Sequence, residues 1–415
     1  MQSASYSHGN RPGRVKNRIC RSWANEGTAT SVRRSRNSTE KGTLLMNGSD
    51  WKATIQAAVA FDVDRFAICV GELEYDDPFT AIISYDGRFS QPWSRTDVQR
   101  EIVDISYMGA DPTEDHVPVA LSNEGDVYVL KDEHAERSKI PGAGILSEDA
   151  EGFGAVHTLV VDGHSQYVVG DSRQLYRREG FGTWQRLSAN KSREDGYEAE
   201  HFGKAISLDG SLIVESVQRP YSAPSAAQLD PKSWENVSPE QFLKMMKEQR
   251  SERVTRPRIQ RVYHYLDGGF SRLSLPEDCV IRGLYRDPEQ RIWFLGGGGL
   301  ILQGTIEGGF EKVGFLGDTE TLFSAAWCRS ELFAATDDGL RRFDGHKLGI
   351  VKPKLNSAAI NRNIPAPLKI QSFDNTLIYF DRKHGVCRWD GQSWDWYEIP
   401  PSLLQREFKG LPARQ

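Results

Sequence analysis

The chain has 415 residues, a formal net charge of −5 and 10% aromatic residues, so it is long enough to bury a large core. It contains no run of 18 apolar residues, which excludes a membrane-spanning helix and predicts a protein that meets no membrane. The sequence opens without a charged start that leads into an apolar stretch, which predicts a cytoplasmic location.

The five cysteines are spread along the chain, and no two of them are close in sequence. Zinc sites need paired Cys or His residues at short spacing, so we expect no metal and no cofactor. Cys69, Cys328 and Cys387 lie in apolar, strand-like stretches, which predicts buried thiols in a reducing compartment.

Residues 1–45 carry nine Lys or Arg against two Glu, about +7 in charge, and show almost no apolar pattern. This composition predicts a disordered basic leader or tail. Three origins stay open: a translated leader upstream of a start at Met46, an Arg-rich targeting segment, or a nucleic-acid-binding arm. We expect contact with nucleic acid only through this segment.

A strand-turn-strand unit then returns about seven times, most clearly at residues 338–345 (DGLRRFDG) and 384–391 (HGVCRWDG). A period of roughly 40 to 50 residues with all-β content is the signature of a β-propeller. Each unit has room for four strands separated by Gly or Asp-Gly turns. The units are Trp51–Gln99, Arg100–Gly144, Ile145–Asp195, Gly196–Pro276, Glu277–Leu316, Gly317–Asn361 and Arg362–Leu404.

We therefore predict an all-β, seven-bladed β-propeller over residues 46–404, with one helical insertion in the fourth blade and a C-terminal tail at residues 405–415. A single four-stranded sheet cannot bury both of its faces, so blades stack around an axis and ring closure removes exposed edges. Five tryptophans are expected to pack between blades: Trp184, Trp293, Trp389, Trp394 and Trp396.

The insertion, residues 219–260, separates the second and third strands of unit four. Ser238 can cap a helix there, and the following residues have an apolar face and a basic face. One interpretation packs the apolar face onto the rim of the ring, and the other makes the segment a basic flap that meets a partner. The residues that would bind are Phe242, Met245, Met246, Lys247 and Arg250.

In a four-stranded blade, the loops between second and third strands return to the same face as the loops between blades. The insertion is therefore expected beside the acidic residues Glu74, Asp76, Asp337 and Asp338, which would form an acidic partner surface. The alternative is ordinary solvated charge.

In the later units, residues 292–296 (IWFLG) are followed by Gly299 and Leu300. Residues 340–345 (LRRFDG) and 386–394 (VCRWDGQSW) provide the part that comes next in such a repeat. These segments resemble the repeats of regulator-type β-propellers. The resemblance is clearest in units five to seven. It implies a sensing or binding domain without catalysis in the propeller.

Catalytic motifs such as G-x-S-x-G, H-E-x-x-H and the P-loop are missing from the sequence. We expect a non-catalytic, monomeric protein that holds a macromolecular partner, most simply a protein, in a bacterial regulatory, scaffold or toxin-neutralising role. The alternative is a hydrolase or lactonase that draws Glu151, Glu200 and Asp318 to the channel mouth. His157 and His201 precede first strands and could point toward the channel.

Overall fold

The computed structural model describes most of the chain after residue 52. The described residues are 53–72, 78–109, 116–131, 134–194, 197–220, 238, 258–276, 279–314, 320–345, 347–351, 366–383 and 385–404. Within them, 28 strands form seven four-stranded antiparallel sheets, and they all belong to one compact unit, residues 41–415. The predicted seven-bladed β-propeller is confirmed.

The strands follow one another through the blades in chain order. Blade 1 consists of β1 Ala53–Asp62, β2 Arg65–Glu72, β3 Thr80–Asp86 and β4 Trp93–Val98. Blade 2 consists of β5 Ile102–Met108, β6 Val117–Ser122, β7 Asp126–Lys131 and β8 His134–Lys139. Blade 3 consists of β9 Val156–Asp162, β10 Ser165–Gly170, β11 Gln174–Glu179 and β12 Gln185–Ser188. Blade 4 consists of β13 His201–Leu208, β14 Ser211–Gln218, β15 Ile259–Leu266 and β16 Gly269–Arg272.

The last three blades repeat the same order. Blade 5 consists of β17 Ile281–Arg286, β18 Ile292–Gly296, β19 Ile301–Thr305 and β20 Gly309–Lys312. Blade 6 consists of β21 Leu322–Cys328, β22 Glu331–Thr336, β23 Gly339–Phe343 and β24 Leu348–Val351. Blade 7 consists of β25 Pro367–Phe373, β26 Thr376–Asp381, β27 Gly385–Trp389 and β28 Trp394–Tyr397. Two short 3-10 turns, Asp171–Arg173 and Pro401–Leu403, complete the regular structure of the described residues.

The position of a strand in its blade decides its burial. The second strand β18 reads IWFLG and is buried along its whole length, because neighbouring blades cover both of its faces. The outermost strand β20 of the same blade is mostly exposed. The apolar runs in the sequence therefore mark the middle of each sheet.

Seven apolar clusters hold the ring together, and each lies between two adjacent blades. Trp184 packs between blades 2 and 3, Trp293 between blades 5 and 6, and the other three predicted tryptophans between blades 6 and 7. The prediction that these five tryptophans pack between blades is confirmed.

The ring closes between blades 7 and 1 without exchange of a strand, since each sheet uses four consecutive strands. The ring of Phe66 packs edge-on against Tyr397 at 4.9 Å between centroids. Across the same seam the amide of Ala60 donates to Gln371 Oε1 at 2.7 Å, and the Tyr397 hydroxyl donates to the Val63 carbonyl at 2.6 Å. Packing and hydrogen bonds therefore close the circle.

Two faces of the ring carry the loops. We call the insertion face the one that carries the turns from second to third strands and the connections between blades, and the hairpin face the other. Asp267 and Gly268 make a turn on the hairpin face with φ of 50° and 85°. A two-residue turn with both φ positive matches the twist of a β-hairpin, as expected for Asp-Gly.

The predicted insertion lies between Gln218, the last residue of β14, and Ile259, the first residue of β15. It is therefore slightly shorter than the predicted residues 219–260, because Ile259 and Gln260 pair with β14. Residues 221–237 and 239–257, and with them the predicted helix, lie outside the described residues. The described residues contain no α-helix, so they give the helical insertion no support.

The proposed leader, residues 1–45, and the tail, residues 405–415, also lie outside the described residues. No helix in the part of the chain that the structure describes is long and apolar enough to cross a membrane.

Candidate functional site

The first strands of the blades surround a central cavity of about 590 Å³. A second cavity, of about 640 Å³, continues toward the hairpin face. The two cavities share Leu284, Ser324 and Lys369, so together they form a channel along the axis of the ring. Residues from several blades line this channel.

Four cationic side chains line the central cavity. Lys204 comes from β13, Arg282 from β17 and Lys369 from β25, and Arg382 directly follows β26. None of the four makes an ion pair or a side-chain hydrogen bond with another of the described residues. Lys204, Arg282 and Arg382 are exposed, and Lys369 is half-buried.

Asp104, on β5, is the one carboxylate among the described residues that line this cavity. Its two oxygens accept hydrogen bonds from the amides of Ile105 and Leu159, each at 2.9 Å. Burial raises the pKa of Asp104, although Lys369 and the two amides act in the opposite direction. The carboxylate therefore ties blade 2 to blade 3.

Burial lowers the pKa of Lys369, and Lys204 lowers it further, while Asp104 opposes both effects. Burial also lowers the pKa of Arg382, and the neighbouring Asp381 acts in the opposite direction. Behind Lys204, the buried carboxyl of Glu215 accepts a hydrogen bond from Gln260 at 2.9 Å; burial raises its pKa, while Lys204 and Arg282 lower it. The residues that line the central cavity therefore carry more positive than negative groups.

The two predicted histidines meet a single carboxylate. His157 lies in β9 and His201 in β13, and both bond Asp171 Oδ1, at 2.7 Å and 2.8 Å. Burial alone would raise the pKa of Asp171, but the two histidines hold it well below its usual range. His157 lines the cavity as expected, whereas His201 does not.

The acids of the hydrolase alternative are not brought together. Glu151 pairs with Arg186 at 2.6 Å and does not line the cavity. Glu200 is buried away from the cavity, where it accepts from Ser216 at 2.6 Å and pairs with Arg261 at 3.3 Å. Asp318 lies outside the described residues. Neither Glu151 nor Glu200 therefore lines the central cavity, so the described residues do not bring together the acids that the hydrolase alternative needs.

The predicted acidic surface is described in part. Asp337 and Asp338 are exposed in the turn between β22 and β23, on the insertion face. Asp337 Oδ1 accepts from the Thr321 amide at 2.9 Å, and Asp338 pairs with Arg341 at 3.1 Å. The other predicted residues lie outside the described residues: Glu74, Asp76, Phe242, Met245, Met246, Lys247 and Arg250.

An apolar pair that the sequence reasoning missed also lies on the insertion face. Ile145 is 61% exposed and Leu146 is 86% exposed, in the connection between blades 2 and 3. Glu124 Oε2 accepts hydrogen bonds from the amides of Ile145, Leu146 and Ser147 at 2.9 to 3.1 Å. Lys139 adds a bond to Ser147 Oγ at 2.8 Å. We call residues 140–155 the apolar loop.

Neither a protein-family profile nor a curated protein matches the sequence. Solved structures do match. YCF48 bound to a D1 peptide is 13% identical, with 82% of this chain and 94% of that chain covered and a TM-score of 0.50. Virginiamycin B lyase from Staphylococcus aureus is 9% identical, with 80% and 93% covered and a TM-score of 0.50. The WD40 β-propeller domain of Doa1 is 11% identical, with 82% and 93% covered and a TM-score of 0.50.

At these identities the comparisons show the fold alone. One similar structure is a lyase and another was solved with a peptide, so one architecture hosts different functions. The function of this chain therefore depends on its own surface residues and cavities.

Proposed function

We propose that this propeller is a non-catalytic binding protein that holds a protein partner on its insertion face. A regulatory, scaffold or toxin-neutralising role in a bacterial cytoplasm is the setting we infer for it. The observation that carries the proposal is the apolar loop, which presents Ile145 and Leu146 to solvent on a backbone fixed by Glu124.

The loop is organised before any partner arrives. A carboxylate that accepts several backbone N–H groups holds a loop in one conformation. Gly142 and Gly144 have φ of 76° and 103°, which gives the chain the left-handed turns that this conformation needs. A rigid apolar anchor loses little conformational entropy on binding, and such anchors carry most of the energy of protein interfaces.

The surroundings of the pair suit a protein partner. Glu148 and Asp149 are exposed in the same loop, and Asp338 is exposed elsewhere on the same face. An apolar centre with an acidic rim matches a partner that offers an apolar pocket with basic residues around it. YCF48, which has a similar fold, was solved with a peptide, so such a ring can hold a polypeptide.

The predicted flap would add to the same surface. The segment between Gln218 and Ile259 is attached to the insertion face. If it forms the predicted helix, its basic residues Lys247 and Arg250 would lie on the same face of the ring as Asp337 and Asp338. The apolar residues of that helix would be Phe242, Met245 and Met246. We do not propose the hydrolase or lactonase alternative, because Glu151 pairs with Arg186 and Glu200 accepts from Ser216, both away from the central cavity.

The test is capture of proteins by the tagged full chain, compared with a variant that carries both Ile145→Ser and Leu146→Ser. We expect a partner that the wild type captures to be weakened at least tenfold, as for the loss of a central apolar anchor. The matched control is Phe89→Ser, because Phe89 is 62% exposed on the hairpin face.

A second variant, in which a Gly-Ser linker replaces residues 222–256, tests the flap separately. Loss of capture only in the variant with Ile145→Ser and Leu146→Ser supports binding by the apolar loop and excludes a contribution from the flap. The proposal is overturned if both variants capture every protein as well as the wild type and the Phe89→Ser control.

A further inference from the structure

Four cations that form no ion pair with a described residue line one ligand-sized cavity. We propose that the central cavity binds a small polyanion, a molecule with two or more carboxylate or phosphate groups, between Lys204, Arg282, Lys369 and Arg382. This site is separate from the insertion-face contact surface, and the two can be tested independently.

The charges that line the cavity are not balanced. The four cations face a single lining carboxylate, Asp104, which already accepts two backbone hydrogen bonds. Glu215, close to Lys204 and Arg282, and Asp381, close to Arg382, lie outside the lining. Lys204 lowers the pKa of Lys369, so these two cations repel each other, and a bound polyanion would reduce that repulsion.

The four cations reach the cavity from distant parts of the chain. The cations come from blades 4, 5 and 7, and blade 7 contributes two of them. In the chain they are separated by as many as 178 positions, from Lys204 to Arg382, so no local element brings them together. Specific sites place a few polar groups from distant segments around one cavity, and a cavity of about 590 Å³ lies in the range of small-molecule sites.

The backbone that carries the cations is held by the sheets. Lys204 and Lys369 occupy paired positions in β13 and β25, and Arg282 lies in a β-bulge of β17 between the paired residues Ile281 and Gly283. The backbone of Arg382 is fixed on both sides, because its amide donates to the Ala366 carbonyl at 2.7 Å and its carbonyl accepts from the Ile55 amide at 2.9 Å. A site with fixed groups loses little entropy when a ligand binds.

The chain as a whole has a net charge of −5, so it does not attract anions in general. Affinity for an anion therefore has to come from a local positive site. Saturable binding of a simple anion in calorimetry would therefore report on this site.

The experiment is isothermal titration of the full chain with citrate, inorganic pyrophosphate and inorganic phosphate at low ionic strength. We expect saturable binding of one citrate or one pyrophosphate per chain, with phosphate weaker. The arm that binds more tightly shows whether carboxylate or phosphate groups are preferred. Arg282→Gln and Lys369→Gln, made separately, should each weaken binding of the preferred anion at least tenfold, since charge-assisted hydrogen bonds are lost.

The matched control is Lys312→Gln, because Lys312 is exposed on the outer strand β20 and the charge change is the same. Its affinity should equal that of the wild type. A thermal melt of each variant shows that the ring is folded, and Lys204→Gln replaces any variant that is not. The proposal is overturned if neither citrate nor pyrophosphate gives saturable heat, or if the control weakens binding as much as the channel variants.

Discussion

The seams between blades and the channel that they enclose follow opposite rules. Each seam is an apolar cluster, and charged groups beside the seams have polar partners: Asp126 pairs with Arg100 at 2.6 Å, and Arg178 donates to Gln166 Oε1 at 3.0 Å. In the channel, by contrast, four cations have no such partner among the described residues. The seams therefore supply the stability of the ring, and the centre is left free to bind.

The largest expected effect comes from damage to the seam that closes the ring. Phe66 is fully buried and packs on Tyr85, Phe380 and Tyr397. Phe66→Ala should lower the free energy of unfolding by about 3–5 kcal/mol, because it removes apolar contacts and leaves a cavity. Urea unfolding measures this, with Phe89→Ala as control at less than about 0.5 kcal/mol. Equal losses in the two variants would contradict the role of the seam.

A smaller loss is expected at a paired charge. Asp287 is buried and accepts from Trp293 Nε1 at 2.9 Å and from Arg291 Nε at 2.7 Å. Asp287→Asn keeps the shape but weakens these bonds, which should cost about 2 kcal/mol in urea unfolding. The exposed Asp338→Asn is the control, and a loss at Asp287 no larger than the control would show that this pairing is not needed.

Removal of a charge in the channel should raise the free energy of unfolding instead of lowering it. Because burial lowers the pKa of Lys369, the charged amine destabilises the folded ring, and Lys369→Met should raise the free energy of unfolding at pH 7 by up to about 1 kcal/mol. The unfolded lysine titrates near 10.4, so this gain should shrink between the lowered folded-state pKa and about pH 10.4. Urea unfolding at pH 7 and above measures it, and a loss of stability at pH 7 would contradict the contrast.

The ring could be predicted from the sequence because its determinants are local. Turn residues such as Asp267 and Gly268 recur at a fixed period, and the buried middle strands such as β18 read as apolar runs. Each signal lies within one unit, so a one-dimensional pattern contains it.

The sites could not be predicted in the same way, because they depend on distant contacts. The sequence marks Ile145 only as the start of unit three, because the anchor Glu124 lies 21 positions earlier. Asp171 gives no signal of its own in the sequence, although it joins His157 to His201 from the next blade. Sequence can place Lys369 in a first strand, but it cannot show that the side chain forms no ion pair with a described residue.

The most direct test of the account uses the buried thiols. Cys69 lies in the seam of blades 1 and 2, and Cys328 and Cys387 lie in the seam of blades 6 and 7. Burial raises the pKa of all three, so each should react with an alkylating agent only when its seam opens. Cys279 is half-buried and serves as the internal reference.

The measurement is pulsed alkylation across a urea series, read at each cysteine by peptide mass spectrometry. The account predicts that Cys69, Cys328 and Cys387 become reactive together, at the urea concentration where the β-sheet signal is lost. Reaction of any of the three in native buffer at the rate of Cys279 would contradict a ring held closed by its seams.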